Sequence, residues 1–271
     1  MSGAEATQDL ADEPVVLVNK VDGVAIITLN RPRARNAVNA ALSSALGQAL
    51  EDLDADPEMR VGLVTGAGQA FCAGADLKAL GAGEPITADD HPEWGFAGLV
   101  QHEISKPLIA AVNGFALGGG TEILLACDLA VLSEDASLGF PEVRRGLFAA
   151  AGGLIRMPRQ VPTKIVMELA LTGEAMNARD ALRWGLVNRV VPSNRVIAEA
   201  MELAQAVAAN APLAVRTSKK IVQRATATGS AWDHQVWELQ DAELARIIAS
   251  DDAQEGTRAF AEKRQPSWSG S

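Results

Sequence analysis

The chain has 271 residues, 48% of them hydrophobic, and a formal net charge of −10. Such a length and apolar share supply a sizeable core and exclude a largely disordered chain. The acidic balance argues against nucleic acid as a partner, and no apolar run reaches the ~18 residues that a membrane span needs. Residues 1–13 are acidic and lack a basic-then-apolar leader pattern, so they are expected to form a loose tail, and the protein is expected in the cytoplasm.

Two β-rich runs, residues 15–18 and 24–29, flank Asp22-Gly23, which is a hairpin signal. Residues 39–53 carry alanine and leucine at helical spacing. Three short apolar runs follow at residues 61–65, 108–112 and 129–132, the first ended by Gly66 and the second by Asn113-Gly114. Strands alternating with helical stretches imply parallel pairing and right-handed crossovers. The irregular stretch 76–100, with Gly81, Gly83, Pro85, Pro92 and Trp94, is expected to form a mobile pocket wall. From Gly152 onward, strand pattern is scarce beyond residues 187–191. Asn177 followed by Asp180 resembles a helix start. Residues 197–209, 214–227 and 232–249 are amphipathic. The expected organisation is a tail (1–13), an α/β core (14–192) and a C-terminal helical region (193–271) that favours self-association.

The chemistry concentrates in three glycine-bearing elements. In Gly118-Gly119-Gly120-Thr121-Glu122, glycines at a strand-to-helix turn let backbone approach a ligand, and the first helical N–H groups lack partners within the helix. In Ala73-Gly74-Ala75-Asp76, Asp76 can cap a short helix, which makes the Ala75 N–H a second donor toward one oxygen. Glu142 follows Pro141 near another helix start, twenty residues after Glu122. Taken singly, each glutamate is explained by a favourable helix dipole. Taken together, two carboxyls in apolar surroundings can be tuned apart, one to take a proton and one to give it. Cys72 and Cys127 have no metal or disulfide spacing and are expected to be reduced and buried. His91, His102 and His234 lack ligand spacing, so no metal site is expected. An anionic ligand would need local cations, for which Arg33, Arg35, Lys78, Lys263 and Arg264 are candidates.

These elements, in this order, resemble the enoyl-CoA hydratase/isomerase, or crotonase, superfamily. The likeness covers nearly the whole chain. It runs from Asn30-Arg31-Pro32 through residues 71–78, Asn113-Gly114, residues 118–122, Pro141-Glu142 and Gly152-Gly153 to the tail Phe260-Ala261-Glu262-Lys263-Arg264. The resemblance implies an α/β fold of ββα repeats forming a spiral core, followed by a helical trimerisation region, with homotrimers or paired trimers as the assembly. It also implies an oxyanion hole from the N–H groups of Ala75 and Gly119 and a water-handling pair in Glu122 and Glu142. Arg33, Arg35, Ala73, Asp76, Leu77, Gly118, Phe260 and Lys263 would face the acyl-CoA substrate, with no further cofactor. The implied activity is hydration of a trans-2-enoyl-CoA to a 3-hydroxyacyl-CoA. Alternatives are a carnitinyl-CoA-type dehydratase or an isomerase on the same scaffold, or a non-catalytic acyl-CoA-binding assembly protein. One departure is local: hydratases commonly carry Pro and Gly where this chain has Ala149-Ala150. A second likeness, in Gly95-Phe96-Ala97-Gly98-Leu99 and residues 181–190, is to carnitinyl-CoA dehydratases.

Overall fold

The computed structural model describes residues 13–271, so all but the last residue of the expected tail lies outside the described residues. Strands β1 (Val16–Val21) and β2 (Val24–Leu29) form the antiparallel hairpin, with Val21 opposite Val24. Its two turn residues, Asp22 and Gly23, have φ of 48° and 76°, as a two-residue hairpin with right-handed strand twist requires. Helix α1 (Ala40–Ala55) starts where the Asn39 side chain accepts a hydrogen bond from the Leu42 N–H. The next strands, β3 (Val61–Gly66), β5 (Leu108–Val112), β7 (Leu129–Ser133) and β10 (Arg189–Val191), join the hairpin in one six-stranded sheet of order β1-β2-β3-β5-β7-β10. From β2 onward every pairing in that sheet is parallel.

Short strands β4 (Ala70–Cys72), β6 (Phe115–Leu117), β8 (Ser137–Gly139) and β9 (Ala175–Asn177) form a second sheet of order β4-β6-β8-β9. The chain therefore alternates sheets: β3 then β4, β5 then β6, β7 then β8, each pair leading into a helix or helical turn. This is the expected spiral of ββα units. The sequence suggests a short loop between 108–112 and the glycine element at 118–122; in the structure that loop contains β6, which delivers the chain to the second sheet first. Three residues are too few for a periodic signal, and these strands exist only through their long-range partners.

All six residues of β3 and all five of β5 are buried, because the large sheet is covered on both faces. On one face Val24, Val61, Leu63, Ile109 and Val131 meet Val196, Ala200 and Ala204 of α7 (Val196–Ala208). On the other, Leu42, Leu46 and Leu50 of α1 join Ile27, Phe71, Ile123 and Phe140 in the main core. Helix α7, expected as the first element of the helical region, thus serves the sheet. Beyond it, α8 (Pro212–Thr228), α9 (His234–Ile248) and α10 (Asp251–Glu262) pack in sequence.

Between β4 and β5 lie α2 (Leu77–Gly81) and the stretch expected to be a mobile wall. It runs along α1. The Trp94 ring fills the notch left by Gly47, and Gly98 (φ 64°) lies against the Ser43 carbonyl and the Gly47 backbone. Ser43 donates to the Ile86 carbonyl at 2.7 Å. Trp94 is stacked between His91 and His102 at centroid distances of 4.0 and 4.4 Å, which is the structural role of both histidines.

Candidate active site

Helix α3 (Gly119–Ala126) opens the site. Gly118 precedes it with φ 56° and ψ −123°, a conformation that glycine adopts without strain. A side chain here would also meet the Glu142 carboxyl, 2.7 Å from Oε1. Thr121 ties the helix start to both short strands beside it: its hydroxyl donates to the Ala116 carbonyl at 2.7 Å and accepts from the Gly139 N–H at 3.0 Å. Gly139 ends β8, and Phe140 leads straight into the 3-10 turn Pro141–Arg145 that carries Glu142. The interval of twenty residues is therefore the length needed to leave α3, run β7 and β8, and return beside the same helix N-terminus.

Glu122 is 3% exposed, and its Oε1 accepts the Gly153 N–H at 2.8 Å. Gly153, the first residue of α4 (Gly153–Arg156), must lack a side chain: a Cβ would sit 2.5 Å from the Phe140 ring and 3.0 Å from Glu122 Cγ. Glu142 differs. Its Oε2 is buried and has no hydrogen-bond partner among the described residues. Burial raises both carboxyls above the ordinary glutamate value. For Glu122 the Gly153 N–H opposes that rise, while the Glu142 charge adds to it. For Glu142 its own backbone N–H and the Arg145 charge oppose the rise. Two carboxyls at one helix start thus have unlike surroundings, one anchored by backbone and one with an oxygen unspent.

The second donor loop lies alongside. Gly74 (φ 93°) approaches so closely that a Cβ on it would be 2.9 Å from the Leu117 carbonyl and 3.1 Å from the Gly119 nitrogen. The loop is held by the Val38 N–H donating to the Gly74 carbonyl and the Asp76 N–H donating to the Val38 carbonyl, both at 2.8 Å. Those bonds fall on either side of Ala75 and leave its N–H unspent. The Gly119 N–H, first in its helix, is equally without a partner among the described residues. The Phe96 ring closes over Gly119 and excludes any side chain there.

The remaining candidates divide. Asp76 caps α2, accepting from the Lys78 and Ala79 N–H groups, and pairs with Arg31 at 3.0 Å. Ala73 is half-buried, and its N–H donates to the Arg35 carbonyl at 3.0 Å, so the Arg33–Arg35 turn abuts the same loop with both side chains exposed. Leu77 is exposed beside it. Phe260 and Lys263 stand exposed at the end of α10, which packs on α9, and no hydrogen bond joins them to the glutamates. The thiols of Cys72 and Cys127 are both pushed up to about 12 by burial, which keeps them protonated; Cys72 is buried as expected, and Cys127 is half-buried. Sequence reasoning passed over Phe96, Phe140 and Arg156 as site residues. It quoted Gly152-Gly153 without seeing that Gly153 is the Glu122 donor; a glycine pair opening a helix was the available signal.

A sequence model of the Enoyl-CoA hydratase/isomerase family matches residues 19–271. The chain belongs to that family. A carnitinyl-CoA dehydratase of Proteus mirabilis is 43% identical over 90% of this chain and 94% of its own length. Among solved structures, an enoyl-CoA hydratase from Mycobacterium tuberculosis superposes with a TM-score of 0.90 at 44% identity, over 96% of this chain and all of that one. A carnitinyl-CoA hydratase from Mycobacterium avium is 50% identical with a TM-score of 0.75, over the same shares. Among the described residues no helix is long and apolar enough to cross a membrane.

Proposed function

We propose that this protein is a hydro-lyase that adds water reversibly, in syn fashion, across the C2–C3 double bond of a trans-2-enoyl-CoA to give the 3-hydroxyacyl-CoA. The observation that carries the reading is the unlike pair of buried carboxyls, Glu122 and Glu142, at the helix start whose Gly119 N–H, with that of Ala75, is free. The thioester carbonyl accepts from those two N–H groups, which stabilise the enolate oxygen as charge develops. Glu122, whose backbone partner favours the ionised form, takes a proton from water as its oxygen bonds to C3. Glu142, whose carboxyl is raised by burial, gives a proton to C2. In the reverse direction the roles exchange and water leaves. Arg33, Arg35, Ala73, Asp76, Leu77 and Gly118 lie on or beside the two donor loops and would serve the CoA and the thioester. Phe260 and Lys263 would reach the CoA of a neighbouring subunit in a homotrimer or paired trimers. The reaction as written needs no metal or redox group.

A second reading keeps the same atoms and runs the elimination on a carnitinyl-type thioester. It is favoured by the names of the curated relatives at 43–45% identity and by the M. avium structure. One panel separates the readings. Purified protein is incubated with crotonyl-CoA, a longer 2-enoyl-CoA, a 3-enoyl-CoA and crotonobetainyl-CoA, and products are resolved by liquid chromatography and mass spectrometry. Gain of one water on the 2-enoyl thioesters supports the first reading, and turnover confined to crotonobetainyl-CoA supports the second. Isomerised 3-enoyl-CoA without water uptake, or binding without turnover on every thioester, overturns both.

A further inference from the structure

Arg156 ends α4, and its guanidinium turns back along the chain instead of outward. Its Nη2 donates to the Val100 carbonyl, at the end of the segment that carries Phe96 over Gly119. Its Nη1 lies against the Cα face of Gly152, where any Cβ would collide with it. Gly152 has φ 97°, and its carbonyl accepts the Arg156 N–H at 2.8 Å and the Ile155 N–H at 3.1 Å. The next residue, Gly153, donates the 2.8 Å bond to Glu122 Oε1. One half-buried cation therefore touches both the wall of the site and the turn that holds a candidate catalytic carboxyl.

No acidic side chain pairs with this guanidinium among the described residues. A half-buried cation is costly unless charge or dipoles compensate it. Here the compensation comes from the Val100 carbonyl and from the field of the Glu122 carboxyl. We propose that Arg156 is a positioning residue for Glu122: it clasps Val100 to the Gly152-Gly153 turn and keeps a fixed positive charge beside that carboxyl. The charged groups acting on Glu122 are then Glu142, which opposes ionisation, and Arg156, which favours it. Arg159, one turn further on, acts on Arg156 and is itself tied to the Ile155 carbonyl.

The role rests on Glu122 acting as the base, as argued above, and the test separates the two claims. Arg156→Gln, Arg156→Lys and Glu122→Gln are compared with wild type in kcat/KM against pH on the turned-over thioester, with circular dichroism confirming folding. Loss of the cation makes the ionised base harder to reach. In Arg156→Gln the acid limb of the profile therefore moves upward, the direction in which loss of a nearby opposite charge acts. Arg156→Lys keeps the charge and loses the forked clasp, so its limb stays near wild type while kcat falls. A folded Arg156→Gln enzyme with the wild-type limb overturns the proposal, whether or not its rate has dropped. Should the glutamine variant misfold, the lysine variant decides: a displaced limb despite the retained charge overturns it. A Glu122→Gln enzyme of undiminished rate instead overturns the function on which the proposal rests.

Discussion

The α/β core and the last three helices use opposite means of cohesion. In the core, continuous apolar strands are sealed between α1 and α7, and Phe71, Leu63 and Ile109 have no exposed surface. Along α8, α9 and α10 the most buried side chains are Thr217, Glu243, Asp252, Glu255 and Ala259, nearly all polar. The large apolar ones face outward: Val222 is 64% exposed, Trp232 90% and Phe260 87%. One ion pair, Lys220 with Glu243, crosses from α8 to α9, whereas Arg246 on Glu243 and Arg258 and Arg264 on Glu255 act within a helix or at its end. Strands β3 and β5 complete their burial within the chain, whereas the last helices, like Phe148, Ile155 and Leu171 at the margin of the core, keep apolar surface that only another surface could cover. The catalytic candidates belong to the first region, where rigid packing can hold two carboxyls out of water.

Four substitutions and one titration test that contrast. The largest effect is expected at the site: Glu122→Gln and Glu142→Gln should each lower kcat by about 10²–10⁴-fold, the range for a lost proton-transfer group, with acyl-CoA binding retained in calorimetry. Next, Phe71→Ala in the core should cost ~3–5 kcal/mol in urea unfolding, because a large buried ring leaves a cavity. Val222→Ala on α8 should change stability by no more than about 0.5 kcal/mol in the same experiment, as for exposed positions generally. A large loss at Val222 would mean that its surface is covered in solution, and light scattering would then show an assembly.

The titration should divide the regions by sign. Glu142 has its carboxyl raised by burial, so its contribution is fully present below the ordinary glutamate value and is lost as pH rises through the folded one. Glu142→Gln should therefore raise the melting temperature at pH 8 and leave it nearly unchanged at pH 4. Glu255 has its carboxyl held far below the ordinary value by Arg264 and Arg258. Its contribution is present above that ordinary value and is lost as pH falls through the folded one. Hydrogen-exchange protection, corrected for the intrinsic rate, should consequently fall in residues 251–262 in acid before it falls in β3 and β5, and in Glu255→Gln it should already be low at pH 7. This is the smallest effect, because most of the network is exposed and screened by solvent.

Signals confined to a few neighbouring residues were legible in the sequence. Asp22-Gly23 announces its hairpin because the turn needs positive φ at both positions, and Asn177 announces a helix start because its side chain meets the backbone N–H three residues on. The apolar runs at β3, β5 and β7 are buried on both faces and so show as uninterrupted stretches. Helix α10 and the four short strands of the second sheet were not legible. The strands owe their existence to partners dozens of residues away, as Ala116 pairing with both Cys72 and Leu138 shows. Nor could the stretch around Trp94 be read as fixed, since the notch that receives it is a glycine on another helix.

The sequence by itself determined which chemistry was available: two carboxyls, two glycine-bounded backbone loops, and an ordered set of motifs that placed the chain in its family. The tertiary structure alone decided how those groups differ. It gave Glu122 a backbone donor from Gly153, left Glu142 Oε2 without a partner among the described residues, and set Arg156 against the turn between the wall and Glu122. The reason is physical. A residue's identity follows from its own codon, but its proton affinity and reach follow from burial, dipoles and charges supplied by segments that meet only when the chain folds.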